Sequence, residues 1–135
     1  MRVRVSNNLD LVLNLHELIF PEDDFEINDR TTSWILWDSG RPAGFCMAYT
    51  LKYEPDSLFF LRAGLLPEYR GRGLHIRLIS ARIKWARRAG LKNIITYTLK
   101  SNPESYYNLQ KCGFKLYEPE CYYAGEHALY WSLSL

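Results

Sequence analysis

The feature that most constrains this chain is a short turn with two glycines and two arginines, which joins an apolar strand to a helix. Residues 58–66 form a nearly unbroken apolar run, as expected for a central strand covered on both faces. The turn lies within residues 65–74, which read LLPEYRGRGL. Apolar residues then recur at helical spacing as far as residue 89, which predicts the longest helix of the chain. A strand, a glycine turn and a helix in this order favour a mixed α/β fold.

The same turn has the features of a phosphate-binding site. A helix N-terminus presents unpaired N–H groups and the positive end of the helix dipole, and glycine lets an anion approach the backbone closely. Neither GxxxxGK[ST] nor GxGxxG occurs in the chain, so a Walker A loop and a dinucleotide fingerprint are excluded. We therefore interpret the turn as a phosphate cradle. The alternative is an ordinary strand-to-helix turn with solvated arginines.

The rest of the chain predicts one domain over residues 1–135, of a length at which a single core is stable. Asn102, Pro103 and Glu104 are typical of a helix start, because they supply an N-cap amide, a proline at the first helical position and an acid in the first turn. Hydrophobic periodicity gives the other elements. The predicted strands are 2–6, 32–37, 43–52, 58–66, 93–99, 114–117 and 127–135, and the predicted helices are 9–20, 74–89 and a third from 102 to Gly113.

Composition excludes several classes of protein. The chain is 47% hydrophobic and 24% charged, ordinary values for a globular protein and not for a disordered one. Its three cysteines lack CxxC spacing, so we expect neither a disulfide framework nor a metal site. No apolar run reaches the length of a membrane span, and no signal peptide is evident. We expect a soluble, cytoplasmic protein with no membrane partner.

The charges are segregated along the chain although the net charge is only +2. Residues 69–103 contain nine basic residues and no acid. Residues 5–29 contain seven acids and no Lys or Arg. This pattern indicates one region suited to an anion and another suited to a cation.

Two motifs resemble the GNAT superfamily of acyl-CoA N-acyltransferases. Residues 67–74 resemble its acyl-CoA-binding motif, Arg/Gln-x-x-Gly-x-Gly/Ala after a central strand. Residues 102–105 and 109–114 resemble its Asn-x-x-Ala/Ser helix closed by Lys-x-Gly-Phe. A helix and a strand separate the motifs in the family's order. The resemblance implies an α/β (α+β) fold, with a mixed, mostly antiparallel sheet of about seven strands flanked by about three helices.

The resemblance also implies acetyl-CoA, or a related acyl-CoA, as acyl donor. Backbone groups of Leu65 and Leu66 would hold the pantetheine arm, the turn would hold the pyrophosphate, and Asn102 belongs to the second motif. The residues implied at the pyrophosphate are Arg70, Gly71, Arg72, Gly73, Leu74 and His75.

The implied reaction is direct attack of a neutral amine on the thioester, with no covalent enzyme intermediate. An N–H at the end of the central strand would stabilise the developing oxyanion. The sequence departs from the family at His75, where the motif has Gly or Ala, and at Leu109, where a tyrosine often serves as general acid. The region between the first helix and the hairpin is short, so we expect an open acceptor side.

Other residues must therefore supply proton transfer. Tyr106 and Ser105 lie three and four residues before Leu109, on the same helical face, and are our first and second candidates for the general acid. Asp24 is the candidate base, and Asp23 and Glu26 are candidate acceptor-binding residues. The alternative for each acid is a solvated surface position.

The acceptor predicted in this way is an amine-bearing small molecule or peptide. Two other classes stay open: an acyl-CoA-binding module without turnover, and a nucleic-acid-binding protein that uses the basic helix 70–92. We expect no nucleic acid partner, because no recognised reading motif occurs and a phosphate ligand explains the same charge. The sequence leaves a homodimer open.

Overall fold

A seven-stranded sheet and three helices form the described part of the chain, residues 1–24 and 27–135 of a computed structural model. This confirms the predicted α/β class, and most elements begin and end within two residues of their predicted bounds. The elements are β1 (Arg2–Val5), α1 (Leu9–Ile19), β2 (Thr31–Asp38), β3 (Arg41–Thr50), β4 (Ser57–Leu65), a 3₁₀ turn (Pro67–Tyr69), α2 (Leu74–Arg88), β5 (Asn93–Leu99), α3 (Pro103–Lys111), β6 (Lys115–Leu116) and β7 (Ala128–Ser134).

The strand order is β1-β2-β3-β4-β5-β7-β6, and every neighbouring pair is antiparallel except β4 and β5. Parallel strands need a crossover connection, and α2 provides it between β4 and β5. The sheet is therefore mostly antiparallel, as predicted. Its one parallel pair lies at the centre.

The helices cover the sheet on two faces. Val12 and Leu15 of α1 pack with Phe45 and Met47 on one face. The apolar side chains of α2 and Leu109 of α3 pack in the core of the other face. In the described residues between α1 and β2 there are turns but no helix.

Two glycines let the middle of the sheet pack closely. A Cβ on Gly44 would lie 2.5 Å from the carbonyl oxygen of Gly64 on the neighbouring strand. A Cβ on Gly64 would lie 2.7 Å from Ile19 Cγ2, at the end of α1. Both distances are too short for a side chain, so these positions bring α1, β3 and β4 together beside the central opening.

The opening itself arises because β4 and β5 diverge. Their parallel pairing stops at Phe59 and Ile95, although β4 continues for six residues and β5 for four. Along β3, Cys46 pairs with Ala63 and Ala48 with Phe60, so two residues of β4, Leu61 and Arg62, lie opposite the single residue Met47 of β3. This extra residue is a β-bulge, and bulges bend the strand that carries them. The sheet is thus split at its centre.

Candidate active site

A cleft with a volume of about 1030 Å³ occupies the split between β4 and β5. Its walls come from those two strands, from the first turns of α2 and α3, and from the end of α1 with the loop that follows it. A volume of this size suits a cofactor-sized ligand. The predicted site residues that line it are Asp23, Asp24, Leu65, Arg70, Gly71, Gly73, Leu74, His75, Asn102 and Ser105.

One end of the cleft has the geometry of an anion site. Gly71 and Gly73 have φ angles of 75° and 71°, and nothing lies within 4 Å of a Cβ built on either. Gly73 is the N-cap of α2, so no side chain caps the helix, and its first turn holds no acid. Open space, uncapped N–H groups and the helix dipole converge here. These residues fit a pyrophosphate.

The two arginines of the turn lie in different places. Arg70 lines the cleft, and its Nε donates a hydrogen bond to the Leu65 carbonyl oxygen at 3.2 Å. Arg72 instead lies over the Tyr69 ring, with its guanidinium carbon 5.4 Å from the ring centroid, and is not a lining residue. Arg70 is therefore the arginine placed to contact a ligand in the cleft.

His75, which replaces a small residue of the motif, also lines the cleft. Burial lowers the pKa of His75 below 6.5, while Glu104 acts in the opposite direction and Arg82 and Arg70 add smaller lowering effects. The imidazole is therefore neutral at pH 7. It offers one N–H donor and one acceptor to a ligand without adding charge.

The implied role of Leu66 at the pantetheine arm stays a prediction. Its N–H donates to the Ala43 carbonyl at 2.9 Å, and its carbonyl accepts from the Tyr69 N–H at 2.9 Å. Both backbone groups are engaged within the protein, and Leu66 does not line the cleft. Leu65 does, and it remains the candidate for contact with the pantetheine arm.

Tyr106, the first candidate for the general acid, lies outside the lining of the cleft. Its ring stacks on Trp131, with ring centroids 6.3 Å apart and an angle of 21°, and packs against the core. It does not line the cleft, whereas Ser105 and Leu109 do. A large ring gains more from burial against Trp131 than from exposure in the cleft. Ser105 thus becomes the candidate acid on α3.

Asn102 combines a structural task with a place in the cleft. Its Oδ1 accepts a hydrogen bond from the Ser105 N–H at 3.3 Å, which caps α3. This fixes the amide at the mouth of the cleft, where its Nδ2 can donate to a ligand. The predicted N-cap is confirmed.

At the other end of the cleft lie Asp23 and Asp24. Residues 5–29 contain no Lys or Arg, but Arg62 of β4 forms an ion pair with the Asp23 carboxylate at 2.7 Å. The Arg62 guanidinium also lies 5.2 Å from the Phe20 ring centroid. Among the described residues, Asp24 makes no ion pair. Glu26, the third predicted acid, lies outside the described residues.

Sequence reasoning missed the residues that β4, β5 and the middle of α2 place in the cleft, among them Arg62, Phe59, Tyr97 and Arg82. Among these, Arg82 is a basic residue of α2 that is only 3% exposed. A signal was present, since Arg82 follows the core residue Leu78 by four positions and so shares its helical face.

Two features are absent from the described residues, a membrane-spanning helix and a metal-ligating group. None of the described helices is both long and apolar enough to cross a membrane. In residues 1–24 and 27–135, no group of three or more His, Cys, Asp and Glu is placed to hold a metal ion.

Known structures share this fold over nearly the whole chain. An acetyltransferase from Bacillus subtilis in complex with CoA has a TM-score of 0.80 at 19% identity, over 99% of this chain and 98% of that one. The ribosomal-protein-S18-alanine N-acetyltransferase from Escherichia coli has a TM-score of 0.78 at 16% identity, over 98% and 92%. Spermidine N-acetyltransferase from Vibrio cholerae, in complex with CoA and spermine, has a TM-score of 0.74 at 17% identity, over 98% and 94%.

A comparison with curated proteins gives no match. The family model for the acetyltransferase (GNAT) family matches residues 8–114, which is well over half of the chain and includes both motifs. The chain therefore belongs to the GNAT family of acetyltransferases.

Proposed function

We propose that this protein transfers an acetyl group from acetyl-CoA to an amine by direct attack of the amine on the thioester. The observation that carries the proposal is the cleft through the split sheet, with the anion-binding start of α2 at one end and acidic side chains at the other. The two ends suit a donor that carries phosphates and an acceptor that carries a positive charge.

On the donor side, the chain's own groups divide the work. The open backbone at Gly71 and Gly73 and the first N–H groups of α2 receive the pyrophosphate, with Arg70 beside them. Leu65 lies where a pantetheine arm would run along β4. Acetyl-CoA supplies the activated acetyl group, and an N–H of β4 near its bulge would receive the carbonyl oxygen as negative charge develops on it.

On the acceptor side, the lining favours an amine. Asp24 supplies a carboxylate, and the rings of Phe59 and Tyr97, whose centroids are 6.4 Å apart, supply faces that attract a cation. An alkylamine has a pKa near about 10 and must lose a proton before it attacks. We propose that Asp24 takes it, directly or through water.

The structural neighbours support an amine acceptor but do not indicate which class of amine it is. The Vibrio cholerae enzyme is a spermidine N-acetyltransferase with spermine bound, and the Escherichia coli enzyme is an S18-alanine N-acetyltransferase. A small amine and a peptide N-terminus thus both remain within the proposal.

Two finer features belong to the same proposal. We place the protein in the cytoplasm, because all three cysteines are free thiols, as suits a reducing compartment. We also propose a homodimer. Leu9, Leu13 and Val5 are each 44–50% exposed near one another in the chain, and exposed apolar side chains of this kind favour self-association.

The first test is donor binding. Acetyl-CoA at about one hundred times its dissociation constant should stabilise the fold by about 2.7 kcal/mol, seen as a rise in Tm. Gly73→Glu should remove that rise, because its carboxylate would crowd and repel the pyrophosphate.

Gly90→Glu is the matched control. Gly90 also has a positive φ, 74°, and open space around it, but it lies at the other end of α2. Backbone strain is therefore shared between the variants, while the ligand-induced rise should persist only in Gly90→Glu. Acetylated products from a panel of amines, detected by mass spectrometry, then separate turnover from binding alone. No Tm rise with any acyl-CoA would overturn the proposed function.

A further inference from the structure

Arg82 is a buried cation without a carboxylate partner. Its side chain is on α2, and the residue is 3% exposed. Among residues 1–24 and 27–135, no Asp or Glu forms an ion pair with it. Burying a guanidinium costs free energy unless hydrogen bonds or an opposite charge compensate it. A group retained under these conditions needs an explanation.

Backbone carbonyls compensate only part of the guanidinium. Nε donates to the Leu78 carbonyl at 3.3 Å, and Nη1 donates to those of Met47 at 3.1 Å and Leu61 at 3.4 Å. Leu61 lies in the bulge of β4, so these bonds aim Arg82 at the point where the strands diverge. Within the described part of the chain, Nη2 has no acceptor at hydrogen-bonding distance.

The free side of the guanidinium faces the cleft. Arg82 is a lining residue, together with Ser105 and Leu109 from α3. Its guanidinium carbon lies 3.7 Å from the centroid of the Phe60 ring, which also lines the cleft and holds the cation in place from one side. Leu109, at the position where a tyrosine often serves as general acid in the family, offers no proton and no charge. Arg82 supplies the positive charge on that wall.

We propose that Arg82 stabilises the CoA thiolate that departs when the amine displaces it. This inference rests on the proposed function and deepens it. The amine nitrogen forms a bond to the carbonyl carbon, the carbon–sulfur bond breaks, and its electron pair leaves on sulfur. The proton of the new ammonium passes to Asp24 or water. The guanidinium holds the thiolate until Ser105 or solvent protonates it.

Arg82 also acts to lower the pKa of the two thiols near it, which is the effect proposed for the CoA thiol. Burial raises the pKa of Cys46 to about 11 and also raises that of Cys112, and in both the Arg82 charge acts in the opposite direction. A positive charge favours the thiolate form of any thiol close to it. The other ionisable groups at this wall are His75, Arg70 and Glu104.

The test compares CoA with desulfo-CoA, which lacks the sulfur. If Arg82 lowers the pKa of the bound thiol by about one unit from its free value near about 8.5, CoA gains affinity as pH rises. The ratio of the two affinities should then increase by about fivefold to tenfold between about pH 7 and about pH 9. His75 stays neutral over this range, and protein titrations that affect both ligands alike cancel in the ratio.

Arg82→Gln should abolish the increase while leaving desulfo-CoA affinity within about twofold, and Arg82→Lys should retain part of it. Arg88→Gln, an exposed arginine on the same helix, is the matched control and should behave as the wild type. Binding of desulfo-CoA also reports that each variant is folded with its site intact.

The outcomes separate this inference from the proposed function. If the wild type binds both ligands with a ratio that does not change with pH, the role of Arg82 is overturned, whatever the variants do. An unchanged increase in Arg82→Gln overturns it as well. If the wild type binds neither ligand, the proposed function itself fails.

Discussion

The adjacent carboxylates Asp23 and Asp24 differ in their surroundings. Asp23 is bound by Arg62, and both side chains are partly exposed, at 49% and 35%. Ion pairs at such positions contribute little to stability, so the pair mainly fixes where Arg62 lies. The negative charge that remains for a ligand at this end of the cleft is that of Asp24.

Asp24→Asn should therefore raise the KM for an amine substrate by about tenfold, on the scale of one charge interaction of about 1.4 kcal/mol. The KM for acetyl-CoA should stay unchanged, because the donor binds at the other end of the cleft. Steady-state kinetics with both substrates varied measures the two constants. Glu22→Gln, an exposed acid of the same loop that does not line the cleft, serves as control. An equal effect at Glu22 would show that only the overall field of the loop matters.

Ser105 and Tyr106 are neighbours with opposite orientations. Ser105→Ala should lower kcat by about tenfold, on the scale of general acid catalysis, with acetyl-CoA affinity intact. Tyr106→Phe keeps the ring stacked on Trp131 and removes a hydroxyl that does not face the cleft, so kcat should not change. Single-turnover assays would separate this step from product release. Full activity in Ser105→Ala would leave solvent as the proton source.

At the scale of elements, β4 and β5 decide where the site lies. They are held together at Ser57–Phe59 and Asn93–Ile95, and beyond that the Thr96 hydroxyl donates to the Phe60 carbonyl at 3.2 Å. A side chain thus replaces the backbone pairing where the strands separate. The rest of this edge of each strand faces the cleft.

Donor binding should consequently slow amide hydrogen exchange most in the diverging stretches, residues 60–65 and 96–99. A ligand that fills the gap removes water from these backbone groups and links two strand edges that are not paired with each other there. Hydrogen exchange read by mass spectrometry, with and without acetyl-CoA, would show it. The β1–β2 pair is the internal reference, since it lies far from the gap in the sheet order. Equal protection everywhere would mean general stabilisation instead.

Hydrophobic periodicity was enough to predict these elements, because each strand or helix buries one face. Residues 93–99 were predicted with the bounds that β5 has. The bulge of β4 and the strand order depend on pairing between distant residues and leave no local pattern. Likewise, the charge pattern indicated an anion site but could not show that Arg82 is buried. Its hydrogen-bond acceptors, the carbonyls of Met47 and Leu61, lie far away in sequence on β3 and β4. The orientation of Tyr106 depends in the same way on Trp131.

For the whole molecule, the anion-binding and acidic segments that are separate along the chain also lie at separate places in the cleft. Glycines and N–H groups at the start of α2 form one end of the cleft, and Asp23 and Asp24 after α1 form the other. Donor and acceptor can therefore enter from different sides and meet at the bulge of β4. Such an arrangement suits a reaction in which both substrates are bound at once.

The split in the sheet also has a mechanical consequence. The sheet has two parts, strands β1–β4 and strands β5, β7 and β6. Three backbone pairs between β4 and β5 join these parts at one end, so their other ends can move relative to each other. A donor bound between the two parts of the sheet would hold them at a fixed distance. Phe59 lies on one part of the sheet and Tyr97 on the other, with ring centroids 6.4 Å apart, so a bound donor would fix the spacing of the wall that the acceptor meets.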